Sequence, residues 1–332
     1  MVELAQRLVT RRTAVTSGAS LPVVLVLGAI GVFLVIGSIV SNIFAQQTVA
    51  GLSQGAIFGS LALSLVLIYR ATEVVNFAQG ELAMATTYIA YQLTIWGLSY
   101  WLAFFLTLPI AFVLGTVIQV VLIRPVQHSI IAVVIVTVGL FILIDGVVTW
   151  IWGADLKFMK APFGNTVYHA GGVALALQDI GVLAVTILSV FLLWLLFQFT
   201  KVGLGMRAAA LRPAAAALVG VRVNWMLAIG WGLAAVLGAV AGLMTEPSQF
   251  LQPTMMQAIL IYAFAAAVLG GLESPAGAVI GGLLLGVFLN LLGQYVGFAT
   301  SELRLPIAFA VLLVVLLIKP TGLFGRKQVR RV

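Results

Sequence analysis

Apolar runs of about 20 residues, nearly empty of charge, follow one another along almost the whole chain, and nothing constrains its folding more. A run of that length is what one helix needs to cross the hydrocarbon of a bilayer. The runs fall at about 22–44, 48–69, 81–97, 99–123, 129–152, 178–200, 223–244, 255–271, 276–297 and 303–318. They predict an all-α, polytopic transmembrane helix bundle of about ten spans, or eight if the short third and eighth runs re-enter without crossing. Residues 1–332 then form a single transmembrane domain.

Of 332 residues, 63% are hydrophobic and 8% are charged. A soluble domain carries about 25% charged residues. So few charges cannot clothe a water-facing surface, so the solvent for most of this chain is lipid. Arg7, Arg11 and Arg12 followed by an apolar run look at first like a secretion signal. The run continues to about Phe44, too long for a cleaved signal, and is read as a retained span.

Basic residues set the orientation. With the N-terminus inside, the inner segments hold Arg7, Arg11, Arg12, Arg70, Arg124, Lys201, Arg207, Arg212, Arg222, Lys319, Arg326, Lys327, Arg330 and Arg331. The outer segments hold only Lys157, Lys160 and Arg304. A miscounted helix between two basic loops would spoil this split, so both termini read as cytoplasmic. Asp155, Asp179, Glu246 and Glu302 then fall outside. The net charge of +8 is topology-setting charge at the membrane surface. No basic stripe interleaved with aromatics points to nucleic acid.

The longest outer loop, about 153–177, is too small for a folded domain, and the longest inner loop is about 201–222. No G-x-x-x-x-G-K-[ST] phosphate cradle appears, so if ATP drives this protein, another polypeptide binds it. There is no cysteine, which excludes thiolate metal sites and catalytic thiols. His128 and His169 lie in opposite loops with no second histidine at ligand spacing, so no metal site is expected. No cofactor and no catalytic constellation are visible either.

Small residues recur at helical spacing: Gly51, Gly55 and Gly59; Gly238 and Gly242; Gly277 with Gly281; Gly282 with Gly286. Such stripes let helix backbones approach closely, for plain packing or for packing that slides. The polar stretch Arg70–Glu81 interrupts the second and third runs. Gly80 permits a bend there, Asn76, Gln79 and Glu81 offer partners to freed backbone groups, and Glu81 suits a first helical turn. The stretch reads either as an ordinary inner loop or as a gate near the inner mouth of a pathway. Asp145 lies inside the fifth run, where an acid faces a cavity, a partner or nearby water. In the inner loop, Pro213 opens a helix, Ala214 to Ala217 favour it, and Gly220 ends it. Arg207, Arg212 and Arg222 flank this surface helix, which suits contact with headgroups or with a cytoplasmic partner.

Four segments together resemble the permeases of branched-chain amino acid ABC importers. The first is Asn76-Phe77-Ala78-Gln79-Gly80-Glu81 with Met84 and Tyr88. The second comprises Thr200, Gly203, Arg207-Ala208, Ala217, Gly220 and Asn224. The third is Ala266-Ala267-Val268-Leu269-Gly270-Gly271, then Ser274, Gly277-Ala278 and Gly281-Gly282. The fourth is Lys319-Pro320-Thr321-Gly322-Leu323-Phe324-Gly325. Together they cover about residues 45–325. The chain departs from the family's usual pattern at Gln79, where His is common, and at Glu273, where a small residue is common. It also lacks the acid the family often carries near Leu211-Arg212.

The resemblance implies a membrane-spanning permease subunit in the inner membrane of a prokaryote. Its partners would be a second permease, identical or paralogous, two cytoplasmic ATPases and an external substrate-binding protein. Gly203, Arg207, Ala208, Arg212, Pro213, Ala217 and Gly220 would form the ATPase-coupling segment within 201–222. Asn76, Phe77, Gln79, Gly80, Glu81 and Asp145 are the candidates for the substrate pathway or gate. The implied cargo is a branched-chain amino acid, with urea or a short amide as the alternative. A self-sufficient carrier or channel is the competing class, but it calls for more buried coupling-ion ligands than Asp145.

Overall fold

The computed structural model describes residues 41–164, 166–170, 173–297 and 303–325, with helical positions at 28, 31, 32, 34, 35 and 37. The first expected span, 22–44, and the basic residues near both ends lie mostly outside these described residues.

Helices dominate, and they begin where the sequence supplies caps. They are α1 (Asn42–Thr72), α2 (Gln79–Ile95), α3 (Tyr100–Ile118), α4 (Ile130–Trp152), α5 (Leu177–Phe199), α6 (Lys201–Leu211), α7 (Pro213–Leu218), α8 (Val223–Gln249), α9 (Gln257–Gly270), α10 (Pro275–Tyr295) and α11 (Arg304–Ile318). Ser41, Ser99, Ser129, Thr200 and Ser274 each accept a hydrogen bond from a backbone N–H three residues on. That satisfies one of the donors a helix start leaves free.

Among the described residues, α1, α3 with its continuation to Val126, α4, α5, α8 and α10 are the six helices long and apolar enough to cross a membrane. The shorter α9 and α11 are apolar too. The chain is thus a polytopic helical membrane protein.

Burial separates two layers. In α1 and α8, 83% and 72% of the apolar window is buried within the protein, against 28%, 17% and 22% in α3, α4 and α5. Side chains as apolar as Ile131, Ile142, Trp150 and Leu192 stand exposed on that outer layer. Water would not tolerate such a surface, and lipid favours it. The inner layer is α1, α2, α8, α9 and α10.

Close approach in that inner layer rests on glycine. Helices α1 and α10 run antiparallel, and an added Cβ at Gly51 would lie 2.7 Å from Val287 Cα. At Gly55 it would lie 2.8 Å from Gly282 O, and at Gly59 2.9 Å from Val279 O. Gly282 and Gly286 meet the backbones of Gly59 and Gly55 from the other side, and Gly277 and Gly281 do the same against Gly270 and Ala266 of α9. Contacts this short are backbone against backbone, so no side chain can rotate away to make room.

Two features depart from the sequence reading. The segment 153–177 is not only loop: Val167–Ala170 and Val173–Ala176 form a two-stranded antiparallel hairpin, β1 and β2. The Gly171-Gly172 pair between two short apolar runs was a hairpin signal that the all-α expectation passed over. The run expected to end near 244 also continues as α8 to Gln249, with Pro247 inside the helix. Proline has no N–H to give to the carbonyl four residues back, which is that of Leu243. The Tyr100 hydroxyl of α3 donates to that carbonyl at 2.9 Å, so the helix survives its proline.

Candidate functional site

The break between α1 and α2 is built by its polar residues. Helix α1 ends at Glu73, whose φ of 56° is left-handed. Asn76 Oδ1 then accepts from the Ala78 N–H at 3.1 Å, and Asn76 Nδ2 donates to Gln79 Oε1 at 3.2 Å. An Asn side chain closing on the backbone two residues ahead imitates a turn and starts the next helix. Gln79 Nε2 donates to the Ala234 carbonyl of α8 at 2.8 Å. The two amides thus relay from the α1–α2 turn into the middle of α8, and both are fully buried. Helix α8 admits them because it presents glycine: a Cβ at Gly238 would lie 2.8 Å from Gln79 Nε2, and one at Gly242 2.6 Å from Ala83 O.

Glu81 follows in the first turn of α2, completely buried. Neither of its carboxyl oxygens has a hydrogen-bond partner. The Gln257 amide at the start of α9 lies beside it. What favours an acid here is the N-terminus of its own helix. Asp145 of α4 lies within electrostatic reach of Glu81 and of the buried Tyr88, and one Asp145 oxygen is likewise buried without a partner. Helices α2 and α4 are held in register by the Trp152 indole donating to Gln92 Oε1 at 2.9 Å. Of the six pathway candidates, Asn76 pairs with Gln79 and Glu81 lies within reach of Asp145, while Gly80 between them packs on Leu260 of α9. Phe77 does not join them, since its side chain is 43% exposed.

The segment 201–222 is an elbow of two helices where the sequence suggested one. Thr200 caps α6 by accepting from the Gly203 N–H at 3.0 Å. Gly203 packs on the last turn of α5, where an added Cβ would lie 2.5 Å from Phe197 Cα. Arg207 Nη1 donates to Gln198 Oε1 at 3.4 Å and lays α6 along the end of α5. The chain extends at Arg212, with φ −148° and ψ 83°, and Pro213 opens α7. Gly220 has φ +87°, which turns the chain toward α8. Helix α7 stands clear of the bundle. Of its residues only Ala216 is buried, and Leu218 is 90% exposed.

At the other end of α8, residues missed in the sequence come together. Glu246, read as an acid of an outer loop, is buried inside α8, and its Oε1 accepts from the Met159 N–H at 2.7 Å. Lys157 and Leu251 exchange both backbone hydrogen bonds, at 2.9 and 3.0 Å. Segment 157–163 is thereby strapped over the end of α8. Among the described residues, no group of three or more potential metal-ligating side chains occurs.

A family model described as "Branched-chain amino acid transport system / permease component" matches residues 47–316. The high-affinity branched-chain amino acid transport system permease protein LivH of Escherichia coli K12 is 29% identical over 306 residues, covering 87% of this chain and 98% of that protein. The corresponding protein BraD of Pseudomonas aeruginosa is 30% identical with the same coverage. A probable LivH permease of Methanocaldococcus jannaschii is 30% identical over 80% of this chain and 87% of its own.

Proposed function

Since the chain belongs to the branched-chain amino acid transport permease family, we propose that it is the membrane-spanning subunit of an ATP-driven importer that brings branched-chain amino acids into a prokaryotic cell. Its arginine-rich turns face the cytoplasm and the 157–163 strap faces outward. ATP is hydrolysed by two partner ATPases, a second permease completes the pathway, and an external binding protein delivers the cargo.

The observation that carries this reading is the α6–α7 elbow. It is a short helix pair, rigidly capped at Thr200, packed on α5 and α8 and projecting the exposed apolar side chains of Leu211, Leu218 and Val219 away from the bundle. Arg212 and Arg222 bracket α7. An exposed apolar patch rimmed by charge on a protein of this size marks a docking surface. A partner that pulls on α7 moves α8 directly, because Val223 follows the elbow within a few residues. Helix α8 in turn touches the buried Asn76–Gln79 relay, which makes Asn76, Gln79, Gly80, Glu81 and Asp145 the gate region this motion would reach.

Affinity purification of the tagged chain from its native membranes tests the assignment. It should bring down an ATPase, and Leu218→Asp should release that ATPase while the chain stays inserted. An elbow variant that retains its ATPase at the normal ratio would remove the assignment.

A further inference from the structure

Helix α5 ends at the level of the inner headgroups, since its apolar run stops at Phe199 and the elbow begins after Thr200. Phe191, Trp194 and Gln198 follow one another at spacings of three and four, so they share one face of that helix. All three side chains stand exposed. The Phe191 and Trp194 rings stack at 5.8 Å, and Phe199 meets Trp194 edge to face at 5.7 Å. Aromatic side chains at the edge of the hydrocarbon are where a protein anchors against lipid.

Arg207 of α6 stands at the foot of that aromatic face. Its Nη1 donates to Gln198 Oε1 at 3.4 Å, one helical turn from Trp194. Leu204, three residues earlier and so on the same side of α6, is exposed. The aromatic face of α5 and the Leu204–Arg207 face of α6 therefore meet at a guanidinium. The protein answers that charge poorly. One long bond to a neutral amide is all it makes, Nε is enclosed without an acceptor, and no carboxylate pairs with it among the described residues. Nη2 is neither enclosed nor bonded, so the end of the side chain is open to a ligand. A charged donor makes its strongest hydrogen bonds to a charged acceptor, and the guanidinium fork matches phosphate.

We propose that this α5–α6 corner binds an anionic glycerophospholipid of the inner leaflet. The Nη donors of Arg207 take the phosphate, and an acyl chain lies along Trp194 and Phe191. A zwitterionic lipid brings its own cation beside Arg207 and finds no acid there, so the corner selects against it. Binding needs neither ATP nor a partner subunit and stands whatever powers transport.

The test titrates the full chain, purified in detergent without partners, with phosphatidylglycerol or phosphatidylcholine of identical acyl chains, and counts bound lipid by native mass spectrometry. Phosphatidylglycerol should bind about fivefold more tightly, the effect of one basic side chain among anionic headgroups. Arg207→Gln should abolish the preference, and Arg207→Lys should keep most of it. Trp194→Ala should weaken both lipids alike. Arg124→Gln removes a positive charge elsewhere on the inner side and should leave the preference intact. Equal binding of the two lipids by the unaltered chain, or equal loss of preference in Arg207→Gln and Arg124→Gln, would overturn the site. Trp194 is exposed, so its variant carries the test if Arg207→Gln does not fold, and binding unchanged in Trp194→Ala would overturn the site as well. None of these results depends on an ATPase docking at the elbow, so the two readings fail separately.

Discussion

Removing the Asn76 side chain strands two groups at once. The Ala78 N–H loses its acceptor, and Gln79 Oε1 loses its donor in a place closed to water. Each buried orphan costs about 1–3 kcal/mol. The chain's many backbone contacts can absorb that in overall stability, but the geometry of the α1–α2 turn cannot. Asn76→Ala should therefore lower uptake per inserted molecule severalfold while membrane levels fall much less. Uptake assays normalised to immunoblot check this, and unchanged uptake would return residues 70–81 to an ordinary loop. Gln79→Leu isolates the other half of the relay. It leaves the Ala78 bond intact but removes both the pairing with Asn76 and the link to Ala234, so a loss of transport larger than that of Asn76→Ala places the function in the contact with α8.

Helices differ sharply in what they tolerate. Gly139 lies in α4 with open space around its position, and Gly282 lies in α10 against the backbone of Gly59. Gly139→Leu should insert and purify normally, because it adds one more apolar side chain to a lipid-facing helix. Gly282→Leu should leave little monodisperse protein on size exclusion in detergent, since α1 and α10 would have to separate. Equal yields for the two would contradict the tight α1–α10 seam. The elbow offers a second comparison. Pro213→Gly loosens the start of α7, and Arg207→Glu removes the guanidinium from Gln198. Both should weaken ATPase co-purification several-fold with insertion unchanged.

Legibility varied with range along the chain. The long apolar helices were readable because a bilayer demands a run of fixed length and composition. Ser41, Ser99 and Ser129 cap their helices through contacts only three residues long. The Asn76–Ala78 turn likewise joins residues only two apart. The Gln79–Ala234 bond joins positions 155 residues apart, and the Tyr100–Leu243 bond joins positions 143 apart. No local pattern encodes such partners. The seventh run was expected to stop near 244, because the sequence cannot show that Tyr100 relieves Pro247. For the same reason Glu246 read as a loop acid. Helix α6 was hidden by its two glycines, Gly203 and Gly205, which score poorly as helix formers. Gly203 is there because the backbone of α5 leaves no room for a larger side chain.

At the scale of the whole molecule, lipid-facing helices pack on an inner layer in which the buried amides of Asn76 and Gln79 tie the α1–α2 turn to α8. On the proposed function, motion would pass from the elbow through α8 to the 157–163 strap at its other end. Because the protein has no cysteine, the ends of that path can be located one residue at a time. Leu218→Cys should resist a membrane-impermeant maleimide in intact cells and react after permeabilisation, whereas Lys160→Cys should react in both. The reverse pattern would invert the topology.

The central claim is that uptake is powered by nucleotide through a docked partner, and reconstitution measures it most directly. The chain would be placed in proteoliposomes with the ATPases and second permease that co-purify with it, and radiolabelled leucine supplied outside on its binding protein. ATP enclosed in the lumen should drive leucine accumulation, and omitting either ATP or the ATPases should abolish it. Accumulation by the chain alone, driven by a proton or sodium gradient, would contradict the account.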